Sequence, residues 1–226
     1  PYALPISLDV HHPKVNVPVL WFRSVGHTHT AYVMETLIDE IARSTGQDPV
    51  AYRKRLLGNK HPRHTAALDL AVEKSGYGKK RLPKGRAFGV AVHESFGSVL
   101  AYVVEASIVD GQPRLHKVTA GVHCNFPVNP KTLEAQVQGG IIMGLGLTLP
   151  GAEITLKDGV VQQNNWGDYT VPGHALAPQI EVHLVPSAEP PSGMGEPSVP
   201  PLAPAFANAV SALTGKPLRG LPFRLV

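Results

Sequence analysis

Ser192-Gly193-Met194-Gly195-Glu196-Pro197-Ser198-Val199-Pro200-Pro201 holds a single carboxylate between glycines and prolines, immediately ahead of an apolar stretch. The glycines let backbone come close to a ligand and the prolines freeze the turn that follows, so Glu196 is presented with little freedom. A fixed, lone acid is what a general base needs. On residue type alone, a solvated loop acid or a first-turn helix acid is the commoner reading, and the neighbouring segments have to decide.

Downstream, Leu202 to Leu213 is a small-residue apolar helix with Gly215 as its stop. Upstream, Gln179 to Val185 alternates as a strand, with Ile180, Val182 and Leu184 on one face. Asp158-Gly159 signals a hairpin between Glu153–Leu156 and Val160–Asn164, and Asp110-Gly111 signals another between Val99–Val109 and Arg114–Val122. Ala87 to Val92 reads as a further strand. Asn129-Pro130 starts a helix running Leu133-Glu134-Ala135-Gln136-Val137-Gln138-Gly139-Gly140-Ile141-Ile142-Met143-Gly144-Leu145-Gly146. Four glycines cost a helix roughly 1 kcal/mol each, so close packing against a second backbone or a cofactor is expected there.

The N-terminal third reads differently. Tyr2-Ala3-Leu4 and Val17-Pro18-Val19-Leu20-Trp21-Phe22 are Pro-punctuated extended segments, and Arg23-Ser24-Val25-Gly26 is a turn into a helix, a place where ligands commonly meet exposed amides. From Thr30, the residues Val33, Met34, Leu37, Ile38 and Ile41 keep helical spacing and are expected to face the core. Asp48-Pro49 caps a second helix. A third is expected from about His64 to Ser75, with Ala67, Leu68, Ala71 and Val72 inward. Gly76 to Arg86 is a linker rich in glycine and lysine. The expected class is α+β, mixing hairpins and helices, with an extended and helical part at 1–80 and a mixed β/α part at 81–226.

Composition excludes several functions. The 226 residues are 43% hydrophobic and 17% charged, with 22 Gly and 22 Pro, a globular profile with many constrained loops. The net charge is only +4, and the basic clusters Lys79-Lys80-Arg81 and Lys84-Gly85-Arg86 lack interleaved aromatics, so no nucleic-acid partner is expected. Cys124 stands alone, which excludes an internal disulfide framework and a cysteine-ligated iron–sulfur cluster. It is expected to be a buried structural thiol. The chain has no apolar run of membrane-spanning length and no leader-like opening, and its start at Pro1 suggests a processed product or a piece of a longer chain. Among eleven histidines, His11-His12 and the pair His27 and His29 lack metal-ligand spacing, so no metal held by side chains is expected. Ser192 and Ser198 form no nucleophile elbow around Glu196, and Gly144-Leu145-Gly146 is too short for a dinucleotide fingerprint.

Four segments, taken in order, carry a resemblance. Phe22-Arg23-Ser24-Val25-Gly26, Val128-Asn129-Pro130, Glu134 to Gly140 continuing to Gly146, and Gly193-Met194-Gly195-Glu196-Pro197 resemble the molybdopterin-binding large subunit of the xanthine oxidase family. The wording is similar to that of the isoquinoline 1-oxidoreductase β subunits and related bacterial aldehyde dehydrogenases, and it spans about Val17 to Pro222. The resemblance implies that Glu196 is the catalytic base, that Gln136 hydrogen-bonds the pterin, and that Gly139, Gly140, Arg23 and Gly195 border the cofactor. It implies that Val25 flanks substrate, at a position often aromatic in purine-oxidising members. The cofactor implied is molybdenum on a molybdopterin, in the cytosine dinucleotide form, with [2Fe-2S] clusters in a partner subunit.

Two departures accompany it. His123 stands where the family has Asp, and no Gly-Gly-x-Glu-x-Gly-Gln-Gly segment occurs. About two thirds of a large subunit is absent, so the resemblance implies the C-terminal part, acting with a chain that carries the N-terminal part and with a small iron–sulfur subunit. The implied reaction is hydroxylation of an aldehyde or N-heteroaromatic compound with water, and the implied location is the bacterial periplasm rather than the cytoplasm. The alternatives are a non-catalytic assembly domain retaining the scaffold, and a cofactor-free hydrolase for which no nucleophile can be named.

Overall fold

The computed structural model describes residues 1–7, 9–12, 14 and 21–225. The expected extended segment at Val17–Leu20 lies outside the described residues. In chain order the elements are α1 (His27–Ser44), α2 (Pro49–Leu57), α3 (Pro62–Ser75), β1 (Arg86–Ser95), β2 (Ser98–Val109), β3 (Gln112–His123), α4 (Pro130–Gly146), β4 (Leu156–Lys157), β5 (Val160–Val161), β6 (Gln179–Leu184) and α5 (Leu202–Thr214). This is an α+β arrangement, as the sequence implies.

One four-stranded sheet organises it, in the order β1-β2-β3-β6. The first three strands form an antiparallel meander, and β6 joins the β3 edge in parallel. The turn between β2 and β3 falls on Asp110 (φ 50°) and Gly111 (φ 74°), the pair of left-handed residues that the Asp-Gly signal demands. Strand β2 is buried over ten successive residues because helices cover both faces of the sheet. Helix α5 packs on β1 and β2, and α3 packs on β2 and β3 across the sheet.

Two glycines permit that close packing. A Cβ at Gly89 would lie 2.0 Å from the Ala205 carbonyl oxygen of α5, and one at Gly121 would lie 2.1 Å from the Ala67 carbonyl oxygen of α3. Each helix therefore rests directly on strand backbone. Ala67, Leu68 and Ala71 are fully buried with Val90, Val92, Val99, Ala101 and Val103 on that face. Ile180, Val182 and Leu184 pack against the larger cluster on the other face, which includes Phe206, Tyr102 and Ile141.

Helix α1 corrects the sequence expectation. It forms, but Val33 and Leu37 are 60% and 42% exposed, while Glu35 and Asp39 are buried. The cause is Arg53 of α2, fully buried, whose Nε donates to Glu35 Oε2 at 2.8 Å and whose Nη1 donates to Asp39 Oδ1 at 3.3 Å. Glu35 also accepts from the Val92 amide at 3.0 Å and the Tyr2 hydroxyl at 2.6 Å. An apolar-only periodicity misplaces the inward stripe when its core side carries a satisfied ionic cluster. The second hairpin is also shorter than expected, with two residues in each of β4 and β5. Among the described residues no helix is long and apolar enough to cross a membrane.

Candidate functional site

Three separate chain segments converge at one end of the sheet. The turn before α1 contributes Arg23, the exposed face of α4 contributes Gln136, and the loop between β6 and α5 contributes Gly195 and Glu196. Arg23 Nε donates to the Gly195 carbonyl at 2.7 Å, and Arg23 Nη2 donates to Gln136 Oε1 at 2.8 Å and to the Gln136 carbonyl at 3.3 Å. Arginine only donates, so the Gln136 amide must turn its oxygen toward Arg23 and keep its NH2 for something else. Among the described residues Gln136 Nε2 has no partner, and neither has the Glu196 carboxylate.

Local sequence explains the presentation of each segment. Asn129 Oδ1 accepts from the Thr132 amide at 3.1 Å and Pro130 occupies the first helical position, which starts α4 at a defined point. Two of the four α4 glycines, Gly140 and Gly144, prove to be packing devices against the Glu196 loop and the start of α5. A Cβ on Gly140 would sit 1.9 Å from Ser198 Oγ, and one on Gly144 would sit 3.0 Å from both the Val199 carbonyl oxygen and Leu202 Cβ. Gly140 is thus buried under the loop, whereas Gly139 is exposed, with Arg23 Nη1 3.8 Å from the place its Cβ would take. Pro197, Ser198, Val199 and Pro200 are all buried behind the half-buried Glu196. The Glu196 loop is a rim built on a packed base.

The Arg23–Gly26 turn is strained. Ser24 and Val25 have φ of 93° and 52°, and a β-branched residue in the left-handed region costs of order 1–3 kcal/mol. Ser24 is fully buried and its hydroxyl hydrogen-bonds Thr28, while Val25 stands 55% exposed. His27, just beyond, places Nδ1 3.0 Å from Nε2 of His93 and packs edge-on against Phe96, 5.2 Å between ring centroids. Burial, with His27 and His64 adding to it, pushes the His93 imidazole down to about 4, so it is neutral near pH 7.

A cleft of about 270 Å3 lies between α4 and the Glu196 loop, lined by Cys124, Phe126, Val128, Asn129, Thr132, Leu133, Gln136, Pro191, Ser192, Met194 and Gly195. It carries no charged side chain of its own. The Cys124 thiol is 3% exposed at its wall, and burial raises its pKa, as expected for a structural cysteine. His123 lies behind it. There Arg63 Nε donates to His123 Nδ1 at 3.3 Å, and burial lowers the imidazole pKa. Sequence reasoning missed Ser198 and Tyr102. Only the run of glycines in α4 hinted that something small must lie against that helix.

Comparison with known proteins gives a consistent result. Residues 60–178, more than half of the chain, match the family described as molybdopterin cofactor-binding domain. The beta subunit of isoquinoline 1-oxidoreductase from Brevundimonas diminuta is 31% identical over 228 residues, covering 99% of this chain and 29% of that protein. The membrane-bound aldehyde dehydrogenase of Gluconacetobacter polyoxogenes is 30% identical over 226 residues, covering 90% of this chain and 29% of that protein. The chain therefore spans under a third of the length of these curated relatives. Among solved structures, the aldehyde oxidoreductase from Desulfovibrio desulfuricans superposes with a TM-score of 0.71 at 14% identity, over 89% of this chain and 40% of that one, a likeness of fold.

Proposed function

Because the chain belongs to the molybdopterin cofactor-binding domain family, we propose that it supplies the base-bearing part of a molybdenum hydroxylase that oxidises an aldehyde or N-heteroaromatic compound with water. One observation carries the reading: Arg23 bridges Gly195 and Gln136, so the residue next to the free Glu196 carboxylate and the residue bearing the free Nε2 donor are joined by a single cation.

The donor set suits a molybdopterin. Gln136 Nε2 is an unpartnered donor on a helix whose capped N-terminal turn, at Asn129 and Thr132, lines the same cleft, and amides at such a turn favour anionic groups. Arg23 adds positive charge without placing an acid in the lining. Gln136, Gly139 and Arg23 would hold the pterin, and Gly140 would support Gln136 from beneath the loop. When bound, the molybdenum supplies the two-electron redox chemistry and activates water.

The protein's own part is positional and protolytic. Glu196 takes a proton at its carboxylate as the oxygen nucleophile forms, and its Pro-rich base keeps that carboxylate from collapsing onto the sheet. Val25 borders the substrate from the strained turn. Electrons would leave through [2Fe-2S] clusters in a partner subunit, and a further polypeptide would supply the cofactor contacts this chain does not carry. The half-open cleft, with Phe126 and Val128 51% and 72% exposed at its edge, supports such a cover.

The test is metal and pterin analysis of the protein purified with its co-expressed partners. Near-stoichiometric molybdenum and pterin support the reading. A stable complex free of both would favour the assembly-domain alternative.

A further inference from the structure

We infer that Ser198, held by Tyr102, is a positioning residue that sets the distance between the Glu196 carboxylate and the Gln136 amide. The inference rests on the reading of Glu196 as base given above. Ser198 is fully buried and lies two residues beyond Glu196. Its Oγ donates to the Gln136 carbonyl at 3.0 Å, crossing 62 positions of sequence, and its own carbonyl accepts from the Tyr102 hydroxyl at 2.8 Å. Tyr102 is 0% exposed on β2, an inner strand of the sheet, so this anchor belongs to the packed core.

The geometry forms a bracket. On the N-terminal side of Glu196, the Gly195 carbonyl is tied to Gln136 through Arg23. On the C-terminal side, Ser198 Oγ reaches the Gln136 carbonyl directly. Both ties end on the same residue of α4. The loop at Glu196 can then shift relative to Gln136 only by breaking the exposed Arg23 ties or the part-buried Ser198–Gln136 bond, or by moving the helix. Gly140 completes the device, since the Ser198 hydroxyl occupies the space any larger residue there would fill. A buried hydroxyl that donates to Gln136 is more than a packing choice, because alanine would fill nearly the same volume and keep the carbonyl contact to Tyr102 without making the tie to α4.

The experiment uses the assembled holoenzyme carrying Ser198→Ala, Tyr102→Phe or Glu196→Gln, each assayed for molybdenum content, kcat and KM. Displacing a reacting group by about 1 Å can cost roughly 100-fold, so the Ser198→Ala and Tyr102→Phe proteins should lose about 10- to 100-fold in kcat with KM within about twofold. Their molybdenum content should stay near that of the parent. A purely structural role would leave the kcat of the correctly loaded fraction unchanged, and that result at full molybdenum content would overturn the inference. Tyr102→Phe removes one oxygen atom and keeps the packing, so it decides the matter even if Ser198→Ala does not assemble. Glu196→Gln separates the two readings: if it keeps parental turnover the base assignment fails, whereas a dead Glu196→Gln beside parental Ser198→Ala and Tyr102→Phe proteins rejects the positioning role alone.

Discussion

The Arg23 guanidinium meets the side-chain oxygen of Gln136 at 2.8 Å, joining two residues 113 positions apart. That contact leaves the Gln136 NH2 as the outward donor, and it makes the amide's orientation a property of the protein rather than of a ligand. Gln136→Ala should therefore lower cofactor occupancy more than it lowers stability, since a lost hydrogen bond contributes only about 0.5–1.5 kcal/mol to folding. Molybdenum content and melting temperature measured on the same preparations check this. Equal molybdenum in variant and parent would remove Gln136 from the cofactor site.

Gly140→Ala should destabilise the protein by about 1–3 kcal/mol, the usual cost of overpacking, because the added methyl lands 1.9 Å from Ser198 Oγ and 2.8 Å from its Cβ. Gly139→Ala, on the exposed face with its nearest neighbour at 3.8 Å, should cost little folding stability. Denaturant midpoints of the two variants separate packing glycine from surface glycine. Similar midpoints would contradict the packing account of Gly140.

Arg53→Ala should be among the most damaging substitutions away from the site. It strands Glu35 and Asp39 without their buried cation, and breaking one partner of such a network costs about 3–5 kcal/mol. A loss under about 1 kcal/mol would mean that water or a neighbour compensates.

Stability should fall on mild acidification. His64 is buried, and burial, with His61 adding to it, pushes its pKa down from 6.5 to about 4, even though Glu94 Oε2 lies 3.4 Å from its Nε2. The imidazole is neutral in the folded protein and protonates more readily in the unfolded chain. Between about pH 6.5 and pH 4 the unfolded state binds the extra proton, so stability declines as pH falls through that window and is unaffected above it. The contribution is on the order of 3 kcal/mol. His64→Gln should make the melting-temperature profile from pH 7 to pH 4 less steep, with the buried His93 supplying part of the remaining slope, and an unchanged slope would contradict the assignment.

Much of this architecture is legible from local signals, because those signals are chemical. Asp110-Gly111 demands left-handed backbone, Asp48 and Asn129 offer carboxylate and amide oxygens to helix amides, and Gly215 stops α5, so hairpin and helix boundaries follow. The orientation of α1 was not legible in the same way. Its inward face is chosen by Arg53, and no count of apolar residues anticipates a buried cation on another helix. In the site, Glu196, Gln136 and Arg23 stand out through motif and resemblance. Ser198 and Tyr102 do not, because their roles exist only once β2, α4 and the loop are stacked. Gly140 illustrates the halfway case: its presence signals a close approach, while what approaches is known only from the fold.

The central claim is that Glu196 acts as the general base from a loop fixed to α4. Steady-state turnover, normalised to molybdenum content, of the assembled enzyme with Glu196 and with Glu196→Gln tests it most directly. The substitution keeps the shape of the side chain and removes its basicity, so the account predicts retained cofactor and a loss of roughly 10²- to 10⁴-fold in turnover. A fully loaded Glu196→Gln enzyme that kept more than about a tenth of parental turnover, a loss well short of that range, would make Glu196 a structural loop acid.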